Sequence, residues 1–314
     1  MPKVSVIVPV FNVEEYIGRC VRSLFSQTLD DVEFLFIDDC ATDRSMDILQ
    51  NILEEYPDRK TGVVIHRMER NSGQAAVRKW GMEAASGDYV IHCDSDDWIE
   101  TDALRLMYEA AVSSDADIVF CDHWMSDESK SRLWKDTISP DHDTLFRDAL
   151  LKNISSTLWN KLVKRSLYSG KITYPPFDMG EDFAILVQLV YLAHKVVKVD
   201  KPLYHYCRNS TSISGQTSVE GVLRRFNHSV GNVPTILDFL ERNNLKEKYK
   251  NETGALLLDT KNQIRPLIRE RKYFLMWRKT FGYINLRIPF NPAIRYKRKI
   301  KFFLTYLRLY DKTT

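Results

Sequence analysis

Five short apolar runs, each closed by turn residues and followed by a helical pattern until the last, constrain this chain more than any other feature. The first, Val4-Ser5-Val6-Ile7-Val8-Pro9-Val10, is β-branched and reads as a buried strand. Phe11-Asn12 turns the chain, and Glu14 to Ser26 is amphipathic, with Tyr16, Ile17, Cys20, Val21, Leu24 and Phe25 at helical spacing. Val32 to Ile37 is a second strand and runs into Asp38-Asp39-Cys40-Ala41-Thr42-Asp43; a helix over Ser45 to Glu55 follows. Gly62 to His66 is a third strand, Asn71-Ser72-Gly73 a turn, and Gln74 to Ala85 a helix carrying Arg78. Tyr89 to Cys93 is a fourth strand, Ala103 to Val112 a helix, and Ile118 to Cys121 a fifth strand. Strands alternating with helices through short loops argue for an α/β fold with a mostly parallel, doubly wound sheet.

In such sheets ligands bind beyond the carboxyl ends of the strands. Asn12, Asp38, Asp39, Asn71 and Asp94-Ser95-Asp96-Asp97 all fall there. Three carboxylates within four residues repel one another, and two of them one residue apart suit a hard divalent cation that also takes phosphate oxygens. The plainer reading is an acidic turn whose aspartates cap the next helix. Convergence of several loops on one edge favours the site over the cap. Neither GxGxxG nor GxxxxGK[ST] occurs, so dinucleotide-dependent dehydrogenases and P-loop enzymes lose support.

The five cysteines lie far apart and form no CxxC pair, so reduced thiols in a cytosolic compartment are expected rather than disulfides or a zinc site. Met1-Pro2-Lys3 enters a strand pattern with no signal-peptide core. The longest apolar stretch, Phe183 to Ala193, is too short to span a bilayer. Charge is unevenly placed. From Lys261 onward 15 basic residues face 2 acidic ones (net +13), while the rest of the chain has 30 basic and 40 acidic residues (net −10). An acidic body with a basic tail points to a polyanionic surface as partner.

After the fifth strand the alternation weakens. Thr157 to Leu162 and Tyr174 to Phe177 read as irregular structure around aromatic residues. Met179-Gly180-Glu181-Asp182 opens the apolar helix Phe183 to Ala193, where acidic residues also suit the helix dipole. Lys195 to Val199 reads as a short strand, Tyr204 to Arg208 leads into a Ser/Thr-rich segment through Gly215, and the chain from about Ser218 is helical and basic. His92, on a strand of buried pattern, reads as a satisfied core or neighbouring histidine rather than a ligand. The division expected is 1–215 for a catalytic domain and 216–314 for a helical, basic C-terminal region.

These pieces together resemble a family-2 glycosyltransferase of GT-A fold, the bacterial surface-polysaccharide type included. The matching stretches are Val4 to Asn12, Ile37-Asp38-Asp39 with Thr42-Asp43, Asn71-x-Gly73, the Arg78 helix, Gly87-Asp88-Tyr89, Asp94-Ser95-Asp96-Asp97 and Glu181-Asp182. Trp159-Asn160-Lys161-Leu162 adds to the likeness. The resemblance implies roles by position. Asp39 matches the aspartate that bonds the nucleotide base; Pro9, Phe11 and Asn12 match the backbone edge along the nucleoside, with Glu14 facing the base. Asn71, Gly73 and Arg78 match the loop and helix flanking the nucleotide. Asp94, with Ser95 beside it, is similar to the ribose-holding aspartate, and Asp96 to the one that binds Mn2+ or Mg2+. Asp182 matches the general base and Glu181 its neighbour. Cys40-Ala41 stands where Gly-Ser is commoner.

The implied activity is inverting transfer of a sugar from a nucleotide sugar, UDP-linked, to a hydroxyl of a glycan or lipid-linked acceptor. A cation would stabilise the leaving diphosphate, and a carboxylate would take the proton of the acceptor hydroxyl. His205 and Arg208 are read as diphosphate contacts or as packing, and Trp159 as an acceptor platform or a core aromatic. Ile294 to Leu309 interleaves Arg and Lys with apolar residues and is read as an interfacial helix on an anionic inner leaflet, the alternatives being a solvated basic face packed on the domain or a dimer contact. The protein is thus expected in the cytoplasm, peripheral at the membrane, with no nucleic acid as partner. A nucleotidyltransferase and a non-catalytic carbohydrate- or nucleotide-binding protein are the competing readings. The first lacks its basic Gly-rich loop, and the second sits poorly with intact Asp39, Asp94, Asp96 and Asp182.

Overall fold

The computed structural model describes residues 1–126, 130–208 and 217–307. Its centre is the predicted parallel sheet. β1 (Val4–Val10) pairs in parallel with β2 (Val32–Asp38), β2 with β3 (Val63–Arg67), and β1 on its other side with β4 (Tyr89–His92). The helices α1 (Ile17–Phe25), α2 (Ser45–Glu55) and α3 (Gln74–Ala84) make the crossovers. Alternation along β1 divides the core. Val4, Val6, Val8 and Val10 join Phe34 and Phe36 under α1, while Ile7 joins Leu35 and Ile37 on the opposite face.

Beyond β4 the sheet becomes mixed. After β5 (Trp98–Ile99) and α4 (Ala103–Ser114) come β6 (Ile118–Ser126), β7 (Ser131–Trp134), α5 (His142–Leu150), β8 (Lys161–Lys164), α6 (Glu181–Leu192) and β9 (Val196–Cys207). The order is β3-β2-β1-β4-β8-β6-β9-β5, with β7 on β6. β8 inserts antiparallel between β4 and β6, and β9 runs parallel to β6. Two expectations are corrected here. The stretch read as irregular over Thr157 to Leu162 ends in β8, and the strand expected to stop at Val199 continues to Cys207 through a register shift near Asp122. The shift lets β9 bend onto β5, bringing His205 opposite Trp98.

α6 is apolar almost all round, and Phe183, Ile185, Leu186, Val187, Leu189 and Val190 are all buried. Each such side chain contributes about 1.5–3 kcal/mol when taken from water, so this helix is held rigidly. One continuous apolar cluster joins the Ile7 face of the sheet, α5 and α6 to the C-terminal helices α7 (Val219–Arg242), α8 (Lys250–Asn262), α9 (Arg271–Lys279) and α10 (Tyr296–Tyr306). Part of the tail's charge is turned inward. Lys261 is buried over the Trp277 ring at 4.7 Å and bonds Asn285, and burial pushes its ammonium down to about 8.

Candidate active site

Because β1, β2, β3 and β4 are parallel, their carboxyl ends share one edge, and the loops that follow are tied together there. Asn12 has a left-handed backbone (φ 50°) and accepts the Thr42 amide at 2.8 Å through Oδ1. Glu14 accepts the Arg44 amide at 2.9 Å, and its own amide donates to Asp43. Asp38 accepts the Ala41 amide at 2.7 Å and pairs with Arg67. Asp39 is buried, and its two oxygens accept the Ser72 and Gly73 amides at 2.7 and 2.9 Å. Burial raises its carboxyl and those two amides oppose the rise. Asp39 therefore shapes the Asn71–Gly73 turn with the same oxygens assigned to a base; Asn71 and Phe11 stay exposed beside it, and Pro9 is half-buried.

Gly73 adopts φ 84°, ψ 160°, and a Cβ there would strike the Asp178 carboxylate. Asp178 accepts the Ala75 amide at 3.2 Å and pairs with Arg224 of α7 at 3.3 Å. It thereby straps the turn to the segment leading into α6. Nothing in the sequence marks Asp178, since its partners lie far along the chain.

Arg78 is the keystone. Its side chain is 2% exposed and faces three carboxylates: Asp94 at 2.6 Å, Glu181 at 2.7 Å and Asp182. The resemblance put Arg78 beside the nucleotide; the structure makes it an internal cation joining α3, the acidic turn and the start of α6. Burial alone would lower the guanidinium, but Asp182, Asp94 and Glu181 outweigh it and hold it up. Burial raises Glu181 well above the usual carboxylate range, Asp182 adds to the rise, and Arg78 opposes it. Asp182 is raised by burial and drawn down by Arg78. Its side chain remains 19% exposed, so it opens on the edge where Glu181 does not. Neither residue caps α6, whose N-cap is the left-handed Gly180.

In the acidic turn Asp94 also accepts Gln74 Nε2 at 3.2 Å, and Ser95 is buried. Asp97 points backward. It accepts Tyr204 Oη–H and the Cys207 amide, both at 2.7 Å, and burial followed by repulsion from Asp96 and Asp94 raises it far above the carboxylate range. Tyr204 accepts the Asp94 amide as well, so β9 sets the turn's pose. Asp96, between Asp94 and Asp97 in the turn, is half-exposed. Among the described residues no group of three or more His, Cys, Asp or Glu could enclose an ion. The donor set fits a Mn2+ or Mg2+ ion that arrives with phosphate oxygens and takes one protein carboxylate, and it does not fit a resident, caged ion.

Trp159 and His205 take the packing alternative of their two readings, and the expectation of a satisfied His92 is corrected. Trp159 is 4% exposed, stacked on Tyr204 at 4.2 Å and on Tyr206 at 5.8 Å, so no ring face is free for a sugar. His205 is stacked on Trp98 at 3.4 Å and bonded to Glu100 at 2.7 Å, a packing role. His92 is buried, but neither ring nitrogen has a partner among the described residues; burial, then Arg78, keeps it neutral by pushing it well below 6.5. Arg208 is exposed, its amide donating to Ser126 at 2.8 Å, and the Ser/Thr-rich segment beyond it lies outside the described residues.

Residues 5–182 match the family described as glycosyl transferase family 2. The chain is 30% identical over 267 residues to the putative glycosyltransferase EpsH of Bacillus subtilis, covering 82% of this chain and 74% of that protein. Among solved structures it superposes on Staphylococcus aureus TarS in complex with UDP-GlcNAc with a TM-score of 0.59 and 19% identity, over 84% of this chain and 82% of that one. It also superposes on the mannosyltransferase PcManGT of Pyrobaculum calidifontis, in complex with GDP-Man and Mn2+, with a TM-score of 0.55 and 16% identity, over 99% and 88% of the two chains.

Proposed function

The chain belongs to glycosyl transferase family 2 and is a glycosyltransferase with the GT-A fold, and from that premise we propose that it moves a sugar from a UDP-linked donor to an acceptor hydroxyl with inversion at the anomeric carbon. The observation that carries this reading is Asp182. It is a carboxylate raised by burial, oriented by Arg78, and open on the edge where the loops after β1, β2 and β4 meet. A carboxylate raised above its ordinary value is matched to accept a proton from an attacking hydroxyl. A single carboxylate base opposite the leaving group suits one in-line displacement. The donor rests along Pro9 to Asn12 and the Asn71–Gly73 turn, whose pose Asp39 and Asp178 hold. A Mn2+ or Mg2+ ion on Asp96 would neutralise charge on the leaving diphosphate. UDP rather than another nucleotide is favoured by the TarS likeness, and the acceptor proposed is a glycan of surface-polysaccharide synthesis.

The test is product NMR with a panel of α-linked nucleotide sugars and Mn2+. A β-linked product, lost in Asp182→Asn and in Asp96→Ala while the folded state persists, is the expected result. An α-linked product, or full activity in Asp182→Asn, overturns the reading.

The acceptor is proposed to be lipid-linked, presented at an anionic inner leaflet. In α10, Tyr296, Ile300, Phe303 and Leu307 recur at i, i+4, i+7 and i+11 and are all exposed, while Phe302 and Thr305 turn to the core. Lys297, Lys299 and Lys301 flank the apolar stripe, an arrangement suited to lying in a headgroup layer with the lysines reaching phosphates. No helix of the described residues is long and apolar enough to cross a membrane. Co-sedimentation with phosphatidylglycerol vesicles at moderate salt, absent with phosphatidylcholine vesicles and lost in Ile300→Glu/Phe303→Glu, is expected. Equal behaviour with both vesicle types refutes it.

A further inference from the structure

We infer that Asn232 of α7 is a positioning residue for sugar transfer, holding the segment from Phe177 to Gly180 so that donor turn and base meet on one edge. The inference rests on the reading of the Asn71–Gly73 turn as donor site and of Asp182 as base. Residues 177–180 belong to neither helix nor strand, so their backbone groups have no ladder to join and need other partners. Asn232 supplies them. Its side chain is buried; Oδ1 accepts the Phe177 amide at 3.1 Å, and Nδ2 donates to the Phe177 carbonyl at 2.7 Å and to the Met179 carbonyl at 3.1 Å. The partners fix which atom is which, since only the oxygen can face an N–H and only the NH2 can face two carbonyls. Asparagine is a poor helix former, and a buried amide is costly unless bonded, so helix formation and packing alone do not call for it here.

The two residues it holds flank Asp178. Asp178 in turn accepts the Ala75 amide at 3.2 Å, beside the Gly73 turn, and pairs at 3.3 Å with Arg224, about two turns back along the same helix. Gly180 follows Met179 as the left-handed N-cap of α6, whose first residues are Glu181 and Asp182. α7 also lies close along this segment: a Cβ on Gly231 would strike the Phe177 ring, and the His228 ring lies 5.3 Å from it. One buried amide therefore sets both the strap on the donor turn and the start of the helix that carries the base. Because α7 lies beyond residue 215, the region expected to form a separate C-terminal part helps to build the catalytic edge. The alternative is that Asn232 only docks α7 on the rest of the chain. That role would lower stability and leave nucleotide affinity and turnover of the folded protein untouched.

The experiment measures UDP affinity by calorimetry, kcat with the sugar nucleotide and Mn2+, and Tm. It compares Asn232→Ala, Asn232→Asp, Asp178→Ala, Asn232→Ala/Asp178→Ala and Val233→Ala, all assayed below every Tm. Asn232→Ala is expected to lose about tenfold in UDP affinity and about a hundredfold in kcat. Asn232→Asp, which keeps the volume and loses both donors, is expected to lower the same two quantities. The double variant is expected to bind UDP about as weakly as Asp178→Ala alone, because both changes release one strap. Val233→Ala, which thins the buried core beside Asn232, lowers Tm and changes neither quantity. Asn232 variants that lose Tm but keep UDP affinity and kcat overturn the inference, as do affinity losses that multiply in the double variant. So do Asn232 variants that cannot fold, which would assign the residue to docking alone. If the unaltered protein binds no UDP, or Asp182→Asn is fully active, the underlying reading of the site fails first. If UDP binds and Asp182→Asn is inactive while the Asn232 variants behave as the parent, only this inference fails.

Discussion

Replacing Arg78 with Met keeps the length and apolar stem of the side chain and deletes its charge. The guanidinium lies at 2.6 Å from Asp94 and 2.7 Å from Glu181, with Asp182 as third partner, and almost no water reaches it. Removing one partner of a buried ionic group costs about 3–5 kcal/mol, because the remaining charges stay buried and unpaired. At about 2 °C per kcal/mol for a chain of this size, Tm falls by about 6–10 °C at pH 7. The pH dependence separates this cause from a packing defect. Glu181 and Asp182 are already raised by burial and drawn down by Arg78, so without it they rise further. A carboxyl raised in the folded state binds more protons there than in the unfolded chain, so stability falls as pH rises through that range. The deficit of Arg78→Met therefore shrinks as pH is lowered from 7 toward 5. Differential scanning fluorimetry of both proteins across that window reads it directly. A deficit under 2 °C, or one of equal size at both pH values, refutes the keystone argument.

Three further outcomes are expected. Gly73→Ala, strained at φ 84° and driven against Asp178, destabilises by about 1–3 kcal/mol and weakens nucleotide binding, checked by urea unfolding and UDP titration. Cys40 holds φ 62°, so Cys40→Gly relieves about 1 kcal/mol of left-handed strain, less the Cys40 Sγ contact to the Met68 carbonyl at 3.0 Å; a Tm drop of several degrees contradicts this. Burial pushes His123 down to about 4, below its unfolded value near 6.5, so its contribution is fully present above pH 6.5 and lost as pH falls toward 4, by about 3 kcal/mol. His123→Phe flattens the acid side of the stability profile in chemical unfolding, and an unchanged profile refutes the assignment.

Much of the fold was legible in residue order because its causes are local. The β-branched run at Val4 to Val10, the helical spacing of Ile17, Cys20, Val21 and Leu24, and the turn residues between them encode elements through nearest neighbours. Parallel order then placed Asn12, Asp39, Asn71 and Asp94 on one edge without any knowledge of contacts. The far half was harder to read. The run Lys161–Lys164 is too short for a periodic signal, and β9 extends past Val199 only because a register shift on β6 receives it.

Sequence alone determined the strand–helix alternation, the acidic edge and the basic, apolar-striped tail, since each depends on residue type at fixed spacing. Tertiary structure decided which polar groups face one another. Arg78 meets Glu181 and Asp182 across 103 and 104 residues, and Asp97 turns inward to Tyr204. Those pairings follow from how buried charges find partners when helices and strands pack. Burial and partnership belong to the assembled chain, and no local pattern of residues contains them.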